Sequence, residues 1–530
     1  MAMRITNNII LHNTSINING NKGNVDTLNN QMTSQKKIQR PSDDPVTAIR
    51  ALRLRSTLSE IDQYYEKNIP DAESWLSVTE TAISSMQDVI KTIRTQCEYG
   101  AQDSLTIDNR KTILTQLEKL RDKVYSEGNA DYAGRTVFTG YRTNKKLTFT
   151  EDEQKTAYEI TQNMSYSDLQ EHRYYGNDVI VPGNQTDVKD KTKIASPTQA
   201  AYNRIRLGYD GIDSLDTTDA TGTTNKISAN GAKTAVSYHY TDAAGTKQTG
   251  NMNVTVYDSY DKWLAASTAT PKSYDIADGE AVLIRDTGEM VFSKSAADTL
   301  STNKASLDIS YTKTGFTNGE LRPEYYYNCT NITDKNNPLK YEKYDKNGNQ
   351  IYQDIDYVVA ANQTLTVNTE ASNVFDHGLS RDVDELIDAV QRSLDAEQKV
   401  TDLEAMKKMQ EYSSDDCQAS LEEWIAAAKK ERDYANDNMQ KLYNSYIGNC
   451  DTYLQKVNLA LTDVGSKGQS LALTKNRMSN EQETMEELKS KNEDRELSDI
   501  ILEYTAAYTA YQSSLQAASK VNQVTLLSYL

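Results

Sequence analysis

The sequence predicts a multidomain α plus β protein: long antiparallel helices and coiled coil from both chain termini, with a β-rich domain inserted in the middle. Three observations predict it. The helix breakers are confined, with all eight prolines between Pro41 and Pro338, no glycine or proline over residues 379–447 and the last glycine at Gly468; each costs a helix interior ~3 or ~1 kcal/mol. Apolar residues at both ends recur at alternating steps of four and three, the spacing of a packed helical seam. The middle, about residues 151–375, is instead rich in Thr, Asn, Asp, Gly and Tyr, with segments that alternate at period two.

Taken in order, Met1–Asn30 carries nine asparagines and only a sparse heptad of Leu11, Ile18, Val25 and Met32. That stripe is too poor in apolar residues to fold alone and is expected to order on assembly. A long helix is expected from Pro45, where an Asp N-cap accepts backbone N–H groups and proline at the first helical position loses no bond. Ala72, Leu76, Thr79, Ile83, Met86, Ile90, Ile93 and Cys97 form its buried stripe, and Pro70 should kink or break it. Ile113, Leu117, Leu120 and Val124 form a second stripe.

In the middle, Met252, Val254 and Val256, and Leu307, Ile309 and Tyr311, read as strands. Asp210-Gly211, Asn230-Gly231, Asp278-Gly279, Asn318-Gly319 and Asn347-Gly348 read as type I′ turns. Ala281–Ile284 and Met290–Phe292 read as one hairpin, and Leu339–Tyr341 with Ile351-Tyr352 as another whose tip is Asn347-Gly348. Thr217–Thr234, nearly devoid of apolar residues, reads as a long loop. Beyond the middle, Leu471, Thr474, Met478, Glu481, Met485 and Leu488 keep a weaker stripe, and charged Lys489–Glu496 marks a joint. The last helix carries Leu497, Ile501, Tyr504, Tyr508, Tyr511, Leu515 and Ala518, a seam that needs a partner. The implied domains are 1–41 with 497–530 as paired terminal helices, 42–150 with 376–496 as a helical bundle bearing a small hairpin at 128–149, and 151–375 as the inserted β-rich outer domain of one or two parts, separable from the helices.

Composition narrows the function. Lys and Arg number 58 against 76 Asp and Glu, a net charge of -18, so a nucleic acid would meet repulsion. Mean hydropathy is -0.72, and no run of ~18 apolar residues could span a bilayer. Cys97, Cys329, Cys417 and Cys450 form no CxxC, the four histidines are far apart, and neither a metal site, a cofactor nor a disulfide pattern is expected. The N-terminus lacks the apolar core of a secretory signal. Nucleotide-binding, nucleophile-elbow and HExxH motifs are absent, so an enzyme is not expected. Glu171-His172 reads as a solvated surface pair. Asp345, Asn347, Asn349, Ile351 and Asp356 approach calcium-loop spacing, but Gln350 stands where that loop needs glycine. The 34 tyrosines against 5 phenylalanines read as fillers of half-wet sheet faces and helix seams.

Two blocks carry a resemblance. Arg40-Pro41-Ser42-Asp43-Asp44-Pro45, continued by Val46-Thr47-Ala48-Ile49-Arg50, resembles the signature of the flagellin superfamily at the same distance into the chain. Gly128-Asn129-Ala130-Asp131-Tyr132-Ala133-Gly134-Arg135-Thr136-Val137-Phe138-Thr139-Gly140-Tyr141 resembles the hairpin that follows the paired helices of that superfamily. The ending Phe138–Arg142, the Leu461–Gly465 turn into the last helices and the terminal Leu526–Leu530 resemble its members at the hook-filament junction more than its filament members, over about residues 1–150 and 380–530. The resemblance implies a structural subunit of the bacterial flagellum, exported through the flagellar secretion channel. It implies as partners further copies in a ring or helical array, the adjacent hook-associated junction protein, flagellin and an export chaperone, with no nucleic acid or membrane. A filament role, or an adhesin role added by the middle domain, is the alternative it leaves.

Overall fold

The computed structural model describes residues 7–102, 105–218, 224–346 and 348–523. In chain order, α1 (Asn7–Ser34) is followed by α2 (Pro45–Asp62), a π-helical segment (Gln63–Asn68), α3 (Ile69–Gly100) and α4 (Ile107–Arg121). A small hairpin of β1 (Asp131–Tyr132) and β2 (Arg135–Thr136) precedes β3 (Glu153–Ser165), β4 (Gln170–Gly176), α5 (Gln185–Lys189), β5 (Thr198–Arg206), β6 (Ser214–Thr218), β7 (Thr224–Ile227), β8 (Ala232–Thr241) and β9 (Lys247–Tyr257). Then come α6 (Tyr260–Ala266), β10 (Ala281–Ile284), β11 (Glu289–Phe292), α7 (Lys294–Thr302), β12 (Ser306–Phe316), β13 (Asn328–Asn331), β14 (Leu339–Tyr341), β15 (Asp356–Ala360) and β16 (Gln363–Thr366). The chain closes with α8 (His377–Lys408), the 79-residue α9 (Asp415–Glu493) and α10 (Leu497–Gln523). The expected class, long helices at both ends around a β-rich middle, is what the structure shows. The Leu526–Leu530 motif lies outside the described residues.

The chain divides into two compact units. One holds the segment ending at Glu73, Asp356–Leu365 and the chain from Gly468; the other holds Ser74–Ile355 and Thr366–Lys467. In the first, α1 and α10 run antiparallel, their adjoining ends tied by Arg495 N donating to Gln35 O at 3.0 Å and Lys37 N to Glu493 O at 2.7 Å. The joint expected at Lys489–Glu496 falls between α9 and α10, at Asp494–Glu496. The break expected at Pro70 is the π-helical segment Gln63–Asn68 that separates α2 from α3. There the Ile69 N–H donates to Tyr64 O, so the wider turn takes up the break that a proline imposes.

In the second unit, strands β3 to β14 form one sheet ordered β14-β13-β3-β12-β8-β9-β10-β11-β5-β4, with β6 and β7 branching from β12, while β1 and β2 pair only with each other. All its pairings are antiparallel except β9 with β10. The expected hairpin is β10–β11, in register from Ala281↔Phe292 to Ile284↔Glu289. Both strands are buried on both faces, which accounts for their unbroken apolar runs. One face builds the main core of Ile160, Val254, Val256, Leu283, Met290, Phe292, Leu307, Ile309 and Tyr311, capped by Ala296, Ala297 and Leu300 of α7. Val282, Ile284 and Val291 point to the other face, against Trp263 of α6. The predicted stripes of α3 and α4 are buried from Leu76 to Cys97 and at Ile113, Leu117 and Val124.

Five expectations need correction. Leu461–Gly465 is not a turn but lies inside α9, which runs unbroken from Asp415 to Glu493. Thr217–Thr234 is not a loop: its described parts belong to β6, β7 and β8, and β7 pairs with β6 from Leu215↔Ile227. Residues 219–223 lie outside the described residues. Backbone pairing builds the largely exposed strand β7 with Ile227 as its one apolar side chain, which is why composition missed it. The glycines of Asp210-Gly211, Asn230-Gly231, Asp278-Gly279 and Asn318-Gly319 have positive φ, but the residues before them do not. Those turns are therefore not type I′, which needs positive φ at both positions. That geometry occurs at Ala133 (φ 52) and Gly134 (φ 77), the β1–β2 turn. Leu339–Tyr341 pairs with β13, and only a short bend closes at Tyr344↔Gln350; Asn347 lies outside the described residues. Lastly, the β-rich span is not separable from the helices. Val179 and Val188 pack in one core with Leu403 of α8 and Leu421 and Trp424 of α9.

Candidate assembly interface

The α1–α10 pair is built from two 4-3 stripes, one on each helix. On α10 the face toward α1 is Ile500, Tyr504, Ala507, Tyr511, Ser514 and Ala518, buried at Ile500 and half-buried after it. On α1 it is Thr14, Ile18, Asn21, Val25, Leu28 and Met32, all half-buried. Of the residues expected at the seam, the structure brings Ile18, Val25, Met32, Tyr504, Tyr511 and Ala518 together. It leaves Leu497, Ile501, Tyr508 and Leu515 43–46% exposed, with Leu11 at 37%. The 4-3 rule finds two adjacent stripes on α10 that share Tyr504, Tyr511 and Ala518. Small Ala507 and Ser514 let the helices approach on one of them, and the bulkier Ile501, Tyr508 and Leu515 are left outside. Tyr504 and Tyr508 stack at 6.0 Å between ring centres, bridging the two stripes.

The Arg40–Pro45 motif is a hydrogen-bonded turn. Asp43 Oδ2 accepts from Gln39 N at 3.1 Å and Arg40 N at 2.9 Å, closing the turn behind Pro41. Asp44 Oδ1 caps α2 by accepting from Val46 N at 3.0 Å and Thr47 N at 3.2 Å, and the Thr47 hydroxyl, donating to Oδ2 at 2.6 Å, together with these bonds holds its carboxyl below the usual carboxylate range. Beside the turn, Arg55 binds Glu493 with two bonds, Nε to Oε1 at 2.7 Å and an Nη to Oε2 at 2.6 Å. Arg40, Pro41, Ala48, Ala51 and Leu52 line a groove of about 150 Å³ there, and Val46, Ile49 and Leu52 of α2 are exposed.

The second block folds in the other unit. Asp131 Oδ2 accepts from Gly134 N at 3.1 Å, Arg135 lies over the Trp75 ring at 5.0 Å, and Asn129 exchanges two hydrogen bonds with Thr148. Phe138 is buried edge-on against Phe375, with ring centres 5.0 Å apart. Gly128 is tightly packed, since a Cβ there would lie 2.5 Å from a terminal methyl of Leu147, which would have to shift. Gly140 takes φ 58 beside Gln353, and Tyr141 is exposed.

A polar network in the same unit has no counterpart in the sequence reading. Arg204 of β5 is buried between Glu289 Oε1 at 2.5 Å and Glu385 Oε2 at 2.6 Å. Arg206 pairs with Asp382 of α8 and reaches Glu385 at 3.2 Å. The Tyr174 and Tyr260 hydroxyls donate to Glu289, and that of Tyr446 to Glu385. His172 is not a surface group, which corrects the solvated-pair expectation: it is buried, with Nδ1 3.2 Å from Glu385 Oε1. Burial and then Arg204 push its imidazole down to about 3. His377 is also pushed down to about 3 by burial, inside a ring of Tyr209, Tyr326 and Tyr327. Many tyrosines, among them Tyr158, Tyr311, Tyr443 and Tyr446, fill the deep core rather than half-wet faces.

Among the described residues no His, Cys, Asp and Glu side chains gather in a group of three or more able to hold a metal ion, and no helix is long and apolar enough to cross a membrane. Residues 5–143 match the family model of the bacterial flagellin N-terminal helical region. Flagellar hook-associated protein 3 of Salmonella typhimurium is 28% identical over 142 residues, 27% of this chain and 44% of that protein. Flagellin A of Helicobacter pylori is 25% identical over 148 residues, 28% of this chain and 29% of that protein. The matched region thus spans less than half the length of these curated relatives. A solved structure of a putative flagellar hook-associated protein from Vibrio parahaemolyticus aligns over 85% of this chain and 100% of its own, at 14% identity and a TM-score of 0.33. The resemblance to the flagellin superfamily, and within it to hook-associated protein 3, is borne out by the family and sequence matches.

Proposed function

We propose that the chain is a structural subunit of the bacterial flagellum at the hook-filament junction, linking the hook-side junction protein to the flagellin filament. The observation that carries this reading is the antiparallel α1–α10 pair, with an apolar stripe of Leu497, Ile501, Tyr508 and Leu515 left exposed on α10. The pair lies in a chain whose N-terminal region matches flagellin and hook-associated protein 3. Exposed apolar stripes on paired helices are suited to head-to-tail contacts between copies, which generate rings or tubes. The partners are further copies of the chain, the adjacent hook-associated protein, flagellin and an export chaperone, and the site of action is extracellular. Its work is mechanical rather than catalytic.

Immunogold imaging of purified hook-filament complexes tests the position. Label confined to a narrow band between hook and filament is expected. Label along the whole filament would replace this reading by that of a filament flagellin, to which the match with flagellin A also extends. A deletion strain gives a second test, since cells lacking the chain should keep their hooks and shed their filaments.

A further inference from the structure

The register of α3 against α9 brings two of the four cysteines together. Gln87 bonds Asn458, Arg94 Nε bonds Asp451 Oδ1 at 2.7 Å, and Gly100 lies under the Tyr443 ring, whose nearest atom would be 2.4 Å from a Cβ there. As the position on α3 climbs from 87 to 100, its partner on α9 falls from 458 to 443, so the helices are antiparallel and in steady register. Cys97 and Cys450 fall inside this ladder, both on its inner face and both fully buried. The neighbouring Cys450 side chain, together with burial, pushes the Cys97 thiol up. The other two cysteines lie in separate cores, Cys329 among the sheet residues and Cys417 beside Trp424.

We propose that Cys97 and Cys450 are a modification site, joined by an intramolecular disulfide that ties α3 to α9 when the chain folds in the presence of a small disulfide oxidant such as oxidised glutathione. In the first step one cysteine thiolate attacks a sulfur of the oxidant, forming a mixed disulfide and releasing one glutathione thiolate. The second cysteine, deprotonated, attacks the cysteine sulfur of that mixed disulfide and releases the other glutathione. Each cysteine sulfur is oxidised by one electron, two protons leave, and the oxidant is reduced to two thiols. The closed seam excludes solvent and disfavours the thiolate, so the reaction belongs to the folding chain, before the helices complete their packing. The link then constrains the unfolded chain between two points far apart in sequence.

The test unfolds the full chain in urea with a reductant, refolds it by dilution into oxidised and reduced glutathione, then alkylates it under denaturing conditions for intact mass and peptide mapping. The expected product has two alkylated cysteines, Cys329 and Cys417, a mass lower by two hydrogens before alkylation, and one cross-linked peptide pair containing Cys97 and Cys450. Its melting temperature rises by about 5 °C and falls back on reduction. Refolded chain with all four thiols alkylated, or with a link through Cys329 or Cys417, would overturn the proposal. Cys97→Ala and Cys450→Ala should each show three free thiols and a melting temperature unmoved by glutathione. The mass of the unmodified sequence decides the matter even where a variant fails to fold.

Discussion

Replacing Arg204 by methionine removes the cation at the centre of the buried network while keeping a side chain of similar length. Arg204 is 2% exposed and binds Glu289 at 2.5 Å and Glu385 at 2.6 Å. Breaking a buried pair by removing one partner costs about 3–5 kcal/mol, because the charge left behind is uncompensated. Glu289 would keep the hydroxyls of Tyr174 and Tyr260, and Glu385 would keep Arg206 and Tyr446, which places the expected loss near the lower end, at about 3 kcal/mol. Adding Glu289→Gln to Arg204→Met removes one stranded charge and should return about 1–2 kcal/mol, a coupling that a double-mutant cycle isolates. All three tryptophans, Trp75, Trp263 and Trp424, lie in the unit that holds the network. Tryptophan fluorescence during urea unfolding therefore reports on that unit alone. A loss below about 1 kcal/mol for Arg204→Met, or no recovery in the double variant, would mean that water enters the network and that the pairs are screened like surface pairs.

Three further outcomes follow from the same geometry. His172 and His377 are held neutral with values near 3 against an ordinary 6.5, so the unfolded chain binds more protons between those limits and stability is lost as pH falls from 6.5 toward 3. Unfolding free energies from urea titrations at pH 7, 5.5 and 4 should drop by on the order of 3 kcal/mol per histidine by pH 4, and His172→Asn with His377→Asn should flatten that limb. Gly288→Ala should destabilise by about 2–4 kcal/mol, since its φ is 58 and a Cβ would lie 2.1 Å from Tyr209 O; Gly279→Ala, with nothing within 4 Å, should cost about 1 kcal/mol from its positive φ alone. Leu515→Asp, on the exposed stripe of α10, should block incorporation into the flagellum while α1 and α10 stay paired by circular dichroism, whereas Ile500→Asp, at a fully buried position, should lose both.

What was legible in the sequence followed from local periodicity. The α3 stripe from Leu76 to Cys97, the α4 stripe, the β10–β11 hairpin, the joint at Asp494–Glu496 and the Asp44 cap each depend on residues within a few turns or one hairpin of each other. The α10 seam was half legible, because two adjacent stripes fit the same spacing and only the partner's contour selects between them. The polar network was illegible: Arg204 and Glu385 are 181 positions apart, and Arg204 and Tyr446 are 242 apart. Nothing in the composition of β4 or β5 marks His172, Arg204 or Arg206 as inward-facing. Turn type failed for a related reason, since an Asn-Gly pair forces φ only on its glycine and the flanking strands decide the rest.

The same network decides what becomes of the chain when its middle is removed. Joining Thr150 to Asp376 through a short Gly-Ser linker looks harmless while the β-rich span is regarded as a module with its own core. In the structure it would strip Val179 and Val188 from the cluster of Leu403, Tyr412, Leu421 and Trp424, and Tyr175 from Ala396 and Ala435. It would also leave Asp382 and Glu385 of α8 without Arg206, Arg204 and His172. The bared surface would include Trp424 and Leu421, a contiguous apolar patch of the kind that drives aggregation. The deleted chain is therefore expected to be insoluble or to melt without cooperativity, as followed by Trp75 and Trp424 fluorescence. Shortening only the exposed β8–β9 tip at Asp242–Thr246 should leave the melting temperature unchanged, because that turn is closed by its own Asp242 bonds to Ala244 N and Thr246 N. A soluble, cooperatively folded deletion with an unchanged melting temperature would show that α8 and α9 need no covering, and that the contacts of the β-rich span with the helices are incidental to stability.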